Sequence, residues 1–228
     1  MSLELSESTD RNPNAGYEPW LGLAAYTEHE AERFFGRNRE IRALTRAILD
    51  MVQTTVYGPS GAGKTSLLRA GVFPRLRQEN TIPVYVRLDH APDALSYRDQ
   101  VVAAVTDALE ESKVEIAPLA EPLPGVEGES LWAWFHRNEF WDARNRLVKP
   151  VLVLDQFEEL FTLGASRPDF AAFIEELGGL CSNTVPPGVK AAIERERLCI
   201  EYPIDAKNYR IVLSLREDFL ARLEELTT

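Results

Sequence analysis

The sequence predicts an α/β fold in which a mainly parallel sheet lies between two layers of helices. Short apolar runs at residues 52–57, 82–88, 151–154 and 209–215 are typical of buried strands, and stretches with helical spacing of apolar residues separate them. The chain has 228 residues, of which 45% are hydrophobic, enough for one sizeable α/β domain with a core. We therefore expect a three-layer α/β/α sandwich.

The first 50 residues precede this sheet. Residues 1–16 are polar and rich in Asn and Ser, which predicts a disordered lead-in. Residues 17–50 are expected to form a helical N-terminal segment. It includes a short helix over 27–34, where Thr-x-x-Glu has the spacing of a capping box, and a second helix over 38–50. The core is then assigned to residues 51–228.

One stretch of the sequence has the spacing of a phosphate-binding loop. The first strand runs directly into G-P-S-G-A-G-K-T and then into residues that favour helix. In this G-x-x-x-x-G-K-T pattern, backbone amides curl around phosphate oxygens and the following helix adds its positive end. Lys64 is expected to reach the β- and γ-phosphates, and the Thr65 hydroxyl to ligate Mg²⁺. The alternative without function is a glycine-rich turn that happens to contain a lysine. The flanking strand and helix make this alternative less favoured. The residues predicted to bind nucleotide here are Gly58, Pro59, Ser60, Gly61, Ala62, Gly63, Lys64, Thr65 and Ser66.

Helices and loops should separate this loop from the next motif. A helix over 65–73 is expected to be disturbed by Pro74, and another helix is predicted over 95–111. Residues 117–128 hold three prolines and two glycines and are predicted to be a loop. Residues 131–147 are predicted to be one helix, with three of the four tryptophans. Their side chains could form a docking or base-stacking face, but packing on the sheet is the favoured interpretation.

A carboxylate follows the most apolar strand. Asp155 comes after V-L-V-L, at the strand end where ligands sit in open α/β sheets, so Thr65 and Asp155 are the predicted metal ligands. Next comes Gln156, at a position where many such enzymes have a glutamate, and then Glu158 and Glu159 one turn further on. We expect one of these acids to orient the attacking water, Glu158 ahead of Glu159. Ordinary acids at a helix N-terminus are the alternative.

An arginine ends the last predicted strand, in I-V-L-S-L-R. If this strand lies between those of the phosphate loop and Asp155, Arg216 points at the γ-phosphate, where it could sense the phosphate or stabilise charge during transfer. A surface salt bridge to Glu217 or Asp218 is the alternative. The predicted catalytic set is Lys64, Glu158, Glu159 and Arg216.

Composition excludes several classes of partner. The net charge of −11 and pI near 4.9 argue against direct binding of nucleic acid or of an anionic membrane by the domain as a whole. The sequence has no membrane-length apolar run, and its acidic, polar first residues lead us to expect no signal peptide. Cys181 and Cys199 lack a CxxC or histidine pair nearby and are interpreted as free thiols in a reducing compartment. A cytoplasmic location is therefore predicted.

Together these stretches resemble those of STAND-class signalling NTPases, which are close to NACHT ATPases, and especially the bacterial novel STAND group. The likeness extends from about residue 19 to 220. It is carried by N-terminal motifs and by Walker A, Walker B and sensor-1 stretches, namely PWLGL at 19–23, FFGRNRE at 34–40, GPSGAGKTSLLRAG at 58–71, VLVLDQFEELF at 151–161 and IVLSLREDFL at 211–220.

The resemblance implies that Phe35, Gly36 and Arg37 lie against the adenine and ribose of ATP. It implies that D-Q-F-E-E corresponds to a DGxDE-like pattern with its hydrolytic acids at Glu158 and Glu159, and that the strand order is 5-1-4-3-2. Such proteins are multidomain switches in which ATP binding drives homo-oligomerisation, and an effector acts when a C-terminal sensor detects its trigger, often in bacterial antiphage defence. ATP or ADP with Mg²⁺ would be the ligands, and effector and sensor domains would lie outside this chain.

Two features depart from that pattern, and two other functions remain open. The sequence stops one helix after the fourth predicted strand, so we expect strand 5 and the lid to be missing from this chain, and residues 181–208 are longer than the pattern requires. A small-molecule kinase shares the phosphate motif but would need an acceptor pocket and a basic lid. A nucleotide-gated scaffold would bind ATP without hydrolysis. No N-K-x-D motif favours GTP, and no LSGGQ-like signature favours a transporter ATPase.

Overall fold

The computed structural model describes residues 24–122, 129–196 and 202–226. The lead-in predicted at 1–16, the motif at 19–23 and Cys199 lie outside these ranges. The described strands are β1 (Gln53–Gly58), β2 (Thr81–Val86), β3 (Glu115–Pro118), β4 (Asn138–Trp141), β5 (Lys149–Leu154) and β6 (Arg210–Arg216). The described α-helices are α1 (Asn38–Asp50), α2 (Lys64–Ser66), α3 (Phe73–Leu76), α4 (Tyr97–Glu111), α5 (Leu131–Arg137), α6 (Glu158–Thr162), α7 (Phe170–Ser182), α8 (Pro187–Glu196) and α9 (Leu220–Leu226).

The main sheet is parallel and contains four of these strands. They lie side by side in the order β1, β6, β5, β2. Counted along the chain this is 1-4-3-2, as the resemblance implied, and no fifth strand joins this sheet within the described residues. The strand that ends at Arg216 therefore lies between the strand of the phosphate loop and the strand that precedes Asp155. Their carboxyl ends meet at one edge, where open α/β sheets bind ligands.

Each face of the sheet packs against its own layer of helices. Along β5, Leu152 and Leu154 join a buried cluster with side chains of α4, α5 and α7, whereas Val151 and Val153 join a second cluster with α1 and the helix that follows β1. The split arises because successive residues of a strand point to opposite faces. The predicted three-layer sandwich is confirmed. The division between an N-terminal segment and a core at residue 50 stays a prediction. Ile41 of α1 packs in the same buried cluster as side chains of the sheet.

The tryptophan-rich segment differs from the prediction. The helix ends at Arg137, and β4 follows at once and pairs antiparallel with β3 in a separate two-stranded sheet. The helix predicted over 131–147 is therefore wrong beyond Arg137, and the loop predicted over 117–128 is wrong at its first two residues. Buried and half-buried side chains alternate along β4, which is strand periodicity, and its partner strand ends at Pro118, 20 residues before β4 begins. Trp132 is fully buried, in agreement with the core-packing interpretation.

The helix after the phosphate loop also runs further than expected. A π-helical stretch, Leu67–Val72, connects α2 to α3, and the helix passes through Pro74 to Leu76. The predicted end near Phe73 is therefore wrong, whereas the predicted disturbance is present as this π-helical stretch. The widened π turn lies just before the proline, where an ordinary helix would have to accommodate both its ring and its missing N–H.

Candidate functional site

Residues 58–65 join β1 to α2 in a tight turn, which we call the phosphate loop. Gly61 and Gly63 have φ angles of +76° and +73°, a conformation that strains residues with a side chain. Ala62 N–H donates to the Pro59 carbonyl at 3.3 Å and closes the turn. The first amides of a helix have no partner within the helix, so the start of α2 offers donors for an anion beside this loop.

Lys64 lies across the phosphate loop. Its ammonium group donates to the carbonyls of Gly58 at 2.9 Å and Pro59 at 3.1 Å. Neutral carbonyls hold a cation less strongly than a phosphate does, because the phosphate adds the attraction between opposite charges to the hydrogen bond. The lysine is therefore positioned to exchange these carbonyls for phosphate oxygens.

Thr65 and Asp155 meet although they come from different elements. The Thr65 hydroxyl donates to Asp155 Oδ2 at 2.6 Å, and the Tyr85 hydroxyl donates to the same oxygen at 3.0 Å. Asp155 is only 4% exposed. Burial, and then the charge of Asp155, raise the pKa of Tyr85 to about 12, so that its hydroxyl remains a donor at neutral pH.

Gln156 has a strained backbone and a buried polar atom. Its φ angle is +54°, and its side-chain Oε1 has no hydrogen-bond partner in the described structure. The amides on both sides are fixed, because Asp155 N–H donates to Val86 and Phe157 N–H donates to Ser214 in the neighbouring strands. The strain is thus imposed where the chain leaves β5 and enters α6, and it sets the direction of the acids that follow.

Glu158 and Arg216 are joined across two elements. Glu158 Oε2 accepts the backbone N–H of Arg216 at 3.2 Å. The Arg216 guanidinium forms two hydrogen bonds to Asp218, at 2.7 and 3.1 Å. Both alternatives for Arg216 are therefore present in part: the residue lines the same cleft as the phosphate loop, and it also forms the surface salt bridge.

Glu159 faces elsewhere. Its carboxylate pairs with Arg87, at 2.9 Å to Nη2, beyond the end of β2. The hydrogen bond from Arg87 to Glu159 raises the pKa of Arg87 above its ordinary value. Of the two predicted acids, the geometry therefore places Glu158 at the phosphate loop and Glu159 in a lateral ion pair.

The segment expected at the adenine lies beside the phosphate loop. Arg37 Nη1 donates to the Ala62 carbonyl at 2.9 Å, and Gly36 has a φ angle of +88°. Phe35 is 80% exposed and does not belong to the described wall of the cleft. The structure thus brings Arg37 to the loop and leaves the Phe35 ring in solvent.

A cleft of about 440 Å³ lies over the phosphate loop. On one side it is bounded by the backbone segment that leads to Tyr26, whose N–H donates to Ser66 Oγ at 3.0 Å. Gly58, Pro59, Gly36, Arg37 and Glu159 do not line it within the described residues. The predicted site residues that do line it are Ser60, Gly61, Ala62, Gly63, Lys64, Thr65, Ser66, Asp155, Glu158 and Arg216.

Comparison with known protein families identifies the family of this chain. Residues 19–228 match the family model described as Novel STAND NTPase 1. The chain belongs to the Novel STAND NTPase 1 family. The predicted STAND class is thereby confirmed, and the chain is an NTPase by family. No curated protein matches this STAND NTPase.

Solved structures support the fold of this STAND NTPase. One that it resembles is described as the Walker-type ATPase PABY2304 of Pyrococcus abyssi, with a TM-score of 0.50 and 14% sequence identity. The match covers 90% of the STAND NTPase chain and 51% of the other chain, so this chain spans about half the length of that ATPase. At this identity the likeness shows the fold, and the predicted P-loop NTPase fold is confirmed.

The side chains present in this STAND NTPase fit Mg²⁺. The ion prefers oxygen ligands and is commonly held by one or two protein groups together with water and phosphate. A hydroxyl and a buried carboxylate, Thr65 and Asp155, lie within 2.6 Å of each other beside the phosphate loop. Clusters of three or more His, Cys, Asp or Glu side chains suited to a metal do not occur in the ranges that the structure describes. A Mg²⁺ site completed by water and phosphate does not need such a cluster.

Sequence reasoning missed two contacts of this site. The Tyr85 hydroxyl on Asp155 and the Tyr26 amide on Ser66 both come from segments remote in the chain. The sequence feature nearest to a signal is that Tyr85 carries a hydroxyl near the carboxyl end of a strand in a parallel sheet, but that feature alone does not single it out. Among the described residues, no helix is long and apolar enough to cross a membrane.

Proposed function

We propose that this STAND NTPase binds ATP and hydrolyses it slowly, as the switch domain of a larger protein. The observation that carries the proposal is the hydrogen bond of 2.6 Å between Thr65 and Asp155 at the edge of the sheet where the phosphate loop, Glu158 and Arg216 meet. This arrangement has separate parts for phosphate binding, metal binding and water activation. The acidic net charge of −11 agrees with a ligand recognised locally by loop donors and a few cations.

Each residue of the site has a distinct role in the proposed reaction. Amides of the phosphate loop and the Lys64 ammonium bind the triphosphate. Thr65 and Asp155 would hold Mg²⁺, which would neutralise phosphate charge when bound. Glu158 accepts a proton from the attacking water, and its hydrogen bond to the Arg216 amide fixes its orientation.

Arg216 supplies the proposed sensing step. Its guanidinium pairs with Asp218 in the present conformation, at 2.7 Å. To reach a γ-phosphate it must exchange this carboxylate for phosphate oxygens, and both partners suit its planar fork. The exchange would report a triphosphate to the segment that begins with Asp218 and continues into α9.

Nucleotide identity and assembly belong to the same proposal. We assign adenine because the sequence lacks an N-K-x-D motif and because Arg37 reaches the Ala62 carbonyl beside the loop. Homo-oligomerisation on ATP binding, effector and sensor domains outside this chain, and a role in antiphage signalling follow from the STAND resemblance alone. The proposed cytoplasmic location rests on the sequence features given above. Light scattering of the protein with and without ATP tests the assembly.

The neighbouring acids Glu158 and Glu159 provide a matched test of hydrolysis. Glu158→Gln should retain ATP binding and reduce phosphate release by about 10² to 10⁴, the usual contribution of a general base. Glu159→Gln removes a charge one residue away that pairs with Arg87, so phosphate release should stay near the wild-type rate. Normal release by both variants would show that the base is misassigned.

The two alternatives have distinct outcomes in the same assay. ATP binding by the wild type without any phosphate release would favour the nucleotide-gated scaffold. Release of ADP only when one particular metabolite is added would favour a small-molecule kinase.

A further inference from the structure

Tyr85 contacts the proposed metal ligand from the strand that neighbours β5. It lies in β2, at the opposite side of the sheet from β1, and its hydroxyl donates to Asp155 Oδ2 at 3.0 Å. Thr65 donates to the same oxygen at 2.6 Å. Two O–H donors therefore converge on one oxygen of a carboxylate that is 4% exposed.

This convergence leaves the two carboxylate oxygens unequal. Oδ2 accepts both hydrogen bonds, and Oδ1 accepts none from the described residues. A carboxylate whose one oxygen is fixed in this way presents the other in a defined direction. Groups behind a metal ligand commonly orient it in this manner, and their loss typically lowers metal affinity about 10- to 100-fold.

The Tyr85 ring is itself held in place. The Arg69 guanidinium lies 4.6 Å from the ring centroid, in cation–π contact, and Arg69 belongs to the π-helical stretch that follows the phosphate loop. Within the described residues Arg69 has no carboxylate partner. The ring also packs against the buried cluster beneath the phosphate-loop helix. Tyr85 thus connects the helix of the phosphate loop to Asp155.

We propose that Tyr85 is a positioning residue for the Mg²⁺ carboxylate, acting through its hydroxyl on Asp155 Oδ2. The inference rests on the proposed function, because it concerns the same nucleotide site. Its consequence is selective: loss of the hydroxyl should weaken Mg²⁺ and leave metal-free nucleotide binding unchanged. A merely structural tyrosine would not produce that separation.

The test compares two tyrosine-to-phenylalanine variants that each lose one hydroxyl group. Tyr85→Phe keeps the ring and removes the hydroxyl. Tyr209→Phe is the matched control, since Tyr209 is fully buried and donates to the Leu180 carbonyl at 2.8 Å, near the amino end of β6 and remote from Asp155. Each protein is titrated with Mg²⁺ at fixed fluorescent ATP analogue, and analogue affinity is also measured in EDTA.

Tyr85→Phe should raise the Mg²⁺ concentration at half-saturation about tenfold or more, with unchanged analogue affinity in EDTA. Tyr209→Phe should leave both quantities at the wild-type value. The proposal is overturned if Tyr85→Phe shifts the Mg²⁺ midpoint less than twofold, or if both variants shift it equally.

A second variant decides the matter if Tyr85→Phe does not fold. Arg69→Met removes the cation above the ring and should shift the Mg²⁺ midpoint in the same direction, by less; no shift would overturn the proposal. A wild-type protein that binds the analogue with no dependence on Mg²⁺ would contradict the proposed function itself. A Mg²⁺-dependent wild type with an identical Tyr85→Phe would contradict only the role of Tyr85.

Discussion

Replacing Gln156 by glycine should make the protein more stable and less active. The residue has a φ angle of +54°, and its side-chain oxygen is buried without a partner in the described structure. Two substitutions separate these costs. Gln156→Ala removes the unpaired oxygen and keeps the backbone strain, whereas Gln156→Gly removes both.

The magnitudes follow from these two observations. A left-handed conformation costs a residue with a side chain about 1–2 kcal/mol relative to glycine. The greater freedom of glycine in the unfolded chain offsets about 0.5–1 kcal/mol of this. Gln156→Gly should therefore exceed Gln156→Ala by about 1 kcal/mol in free energy of unfolding, or about 2–4 °C in Tm for a protein of this size. Loss of the unpaired oxygen should stabilise both variants relative to wild type by about 1–3 kcal/mol.

Urea denaturation of the three proteins measures both differences. Ala103→Gly is the control with the opposite sign, because Ala103 is exposed within α4, where glycine costs about 1 kcal/mol. Phosphate release by Gln156→Gly should fall, since a freer turn no longer fixes Glu158, an exchange of activity for stability. A Gln156→Gly protein no more stable than Gln156→Ala would refute the claim of backbone strain.

Two further predictions concern a buried histidine and the proposed sensor. His136 is 1% exposed and donates from Nδ1 to the Trp132 carbonyl, and burial lowers its pKa below the ordinary 6.5. The unfolded state therefore binds the proton more readily than the folded state does. The contribution of His136 to stability is complete above pH 6.5 and declines as the pH falls towards the folded pKa. Urea titrations at pH 7.5 and 5.5 should therefore show a smaller loss of unfolding free energy at the lower pH in His136→Phe than in the wild type. Arg216→Ala should lower kcat more than it raises KM, and the backbone N–H that orients Glu158 remains in this variant. Asp218→Asn weakens the competing ion pair and should therefore change the rate in the opposite direction. Equal effects of Arg216→Ala on kcat and KM would contradict a sensing role.

Local patterns in the sequence were sufficient for the core of the fold. The phosphate loop and the apolar strands at 151–154 and 209–215 depend on short-range signals, so the main sheet and its meeting point at Asp155 could be predicted. The strand order of the sheet came from the family resemblance. The pairing of β3 with β4 could not be predicted, because the aromatic residues of 131–141 suit a helix and a buried strand equally and the partner strand is remote.

The candidate site shows the same division. Thr65 and Asp155 could be paired in advance because each ends or follows a recognisable element. Tyr85 could not, since a tyrosine in a strand has many uses and only the packed sheet brings its hydroxyl to Asp155. The sequence already favoured Glu158 over Glu159 as the hydrolytic acid, and the structure separates the two by directing Glu158 to the Arg216 amide and Glu159 to Arg87.

The central claim is that residues 58–65 hold the triphosphate of ATP, and equilibrium binding to Lys64→Ala tests it most directly. A charge-assisted hydrogen bond contributes about 1.5–3 kcal/mol, so the substitution should weaken Mg²⁺-ATP binding about 10- to 150-fold. Lys190→Ala, on an exposed position of α8, removes the same charge elsewhere and should bind as the wild type does. The result we predict is saturable ATP binding by wild type and Lys190→Ala with equal affinity, and binding by Lys64→Ala that is weaker by about 10- to 150-fold. Equal affinity in all three proteins, or no binding by the wild type, would contradict the account.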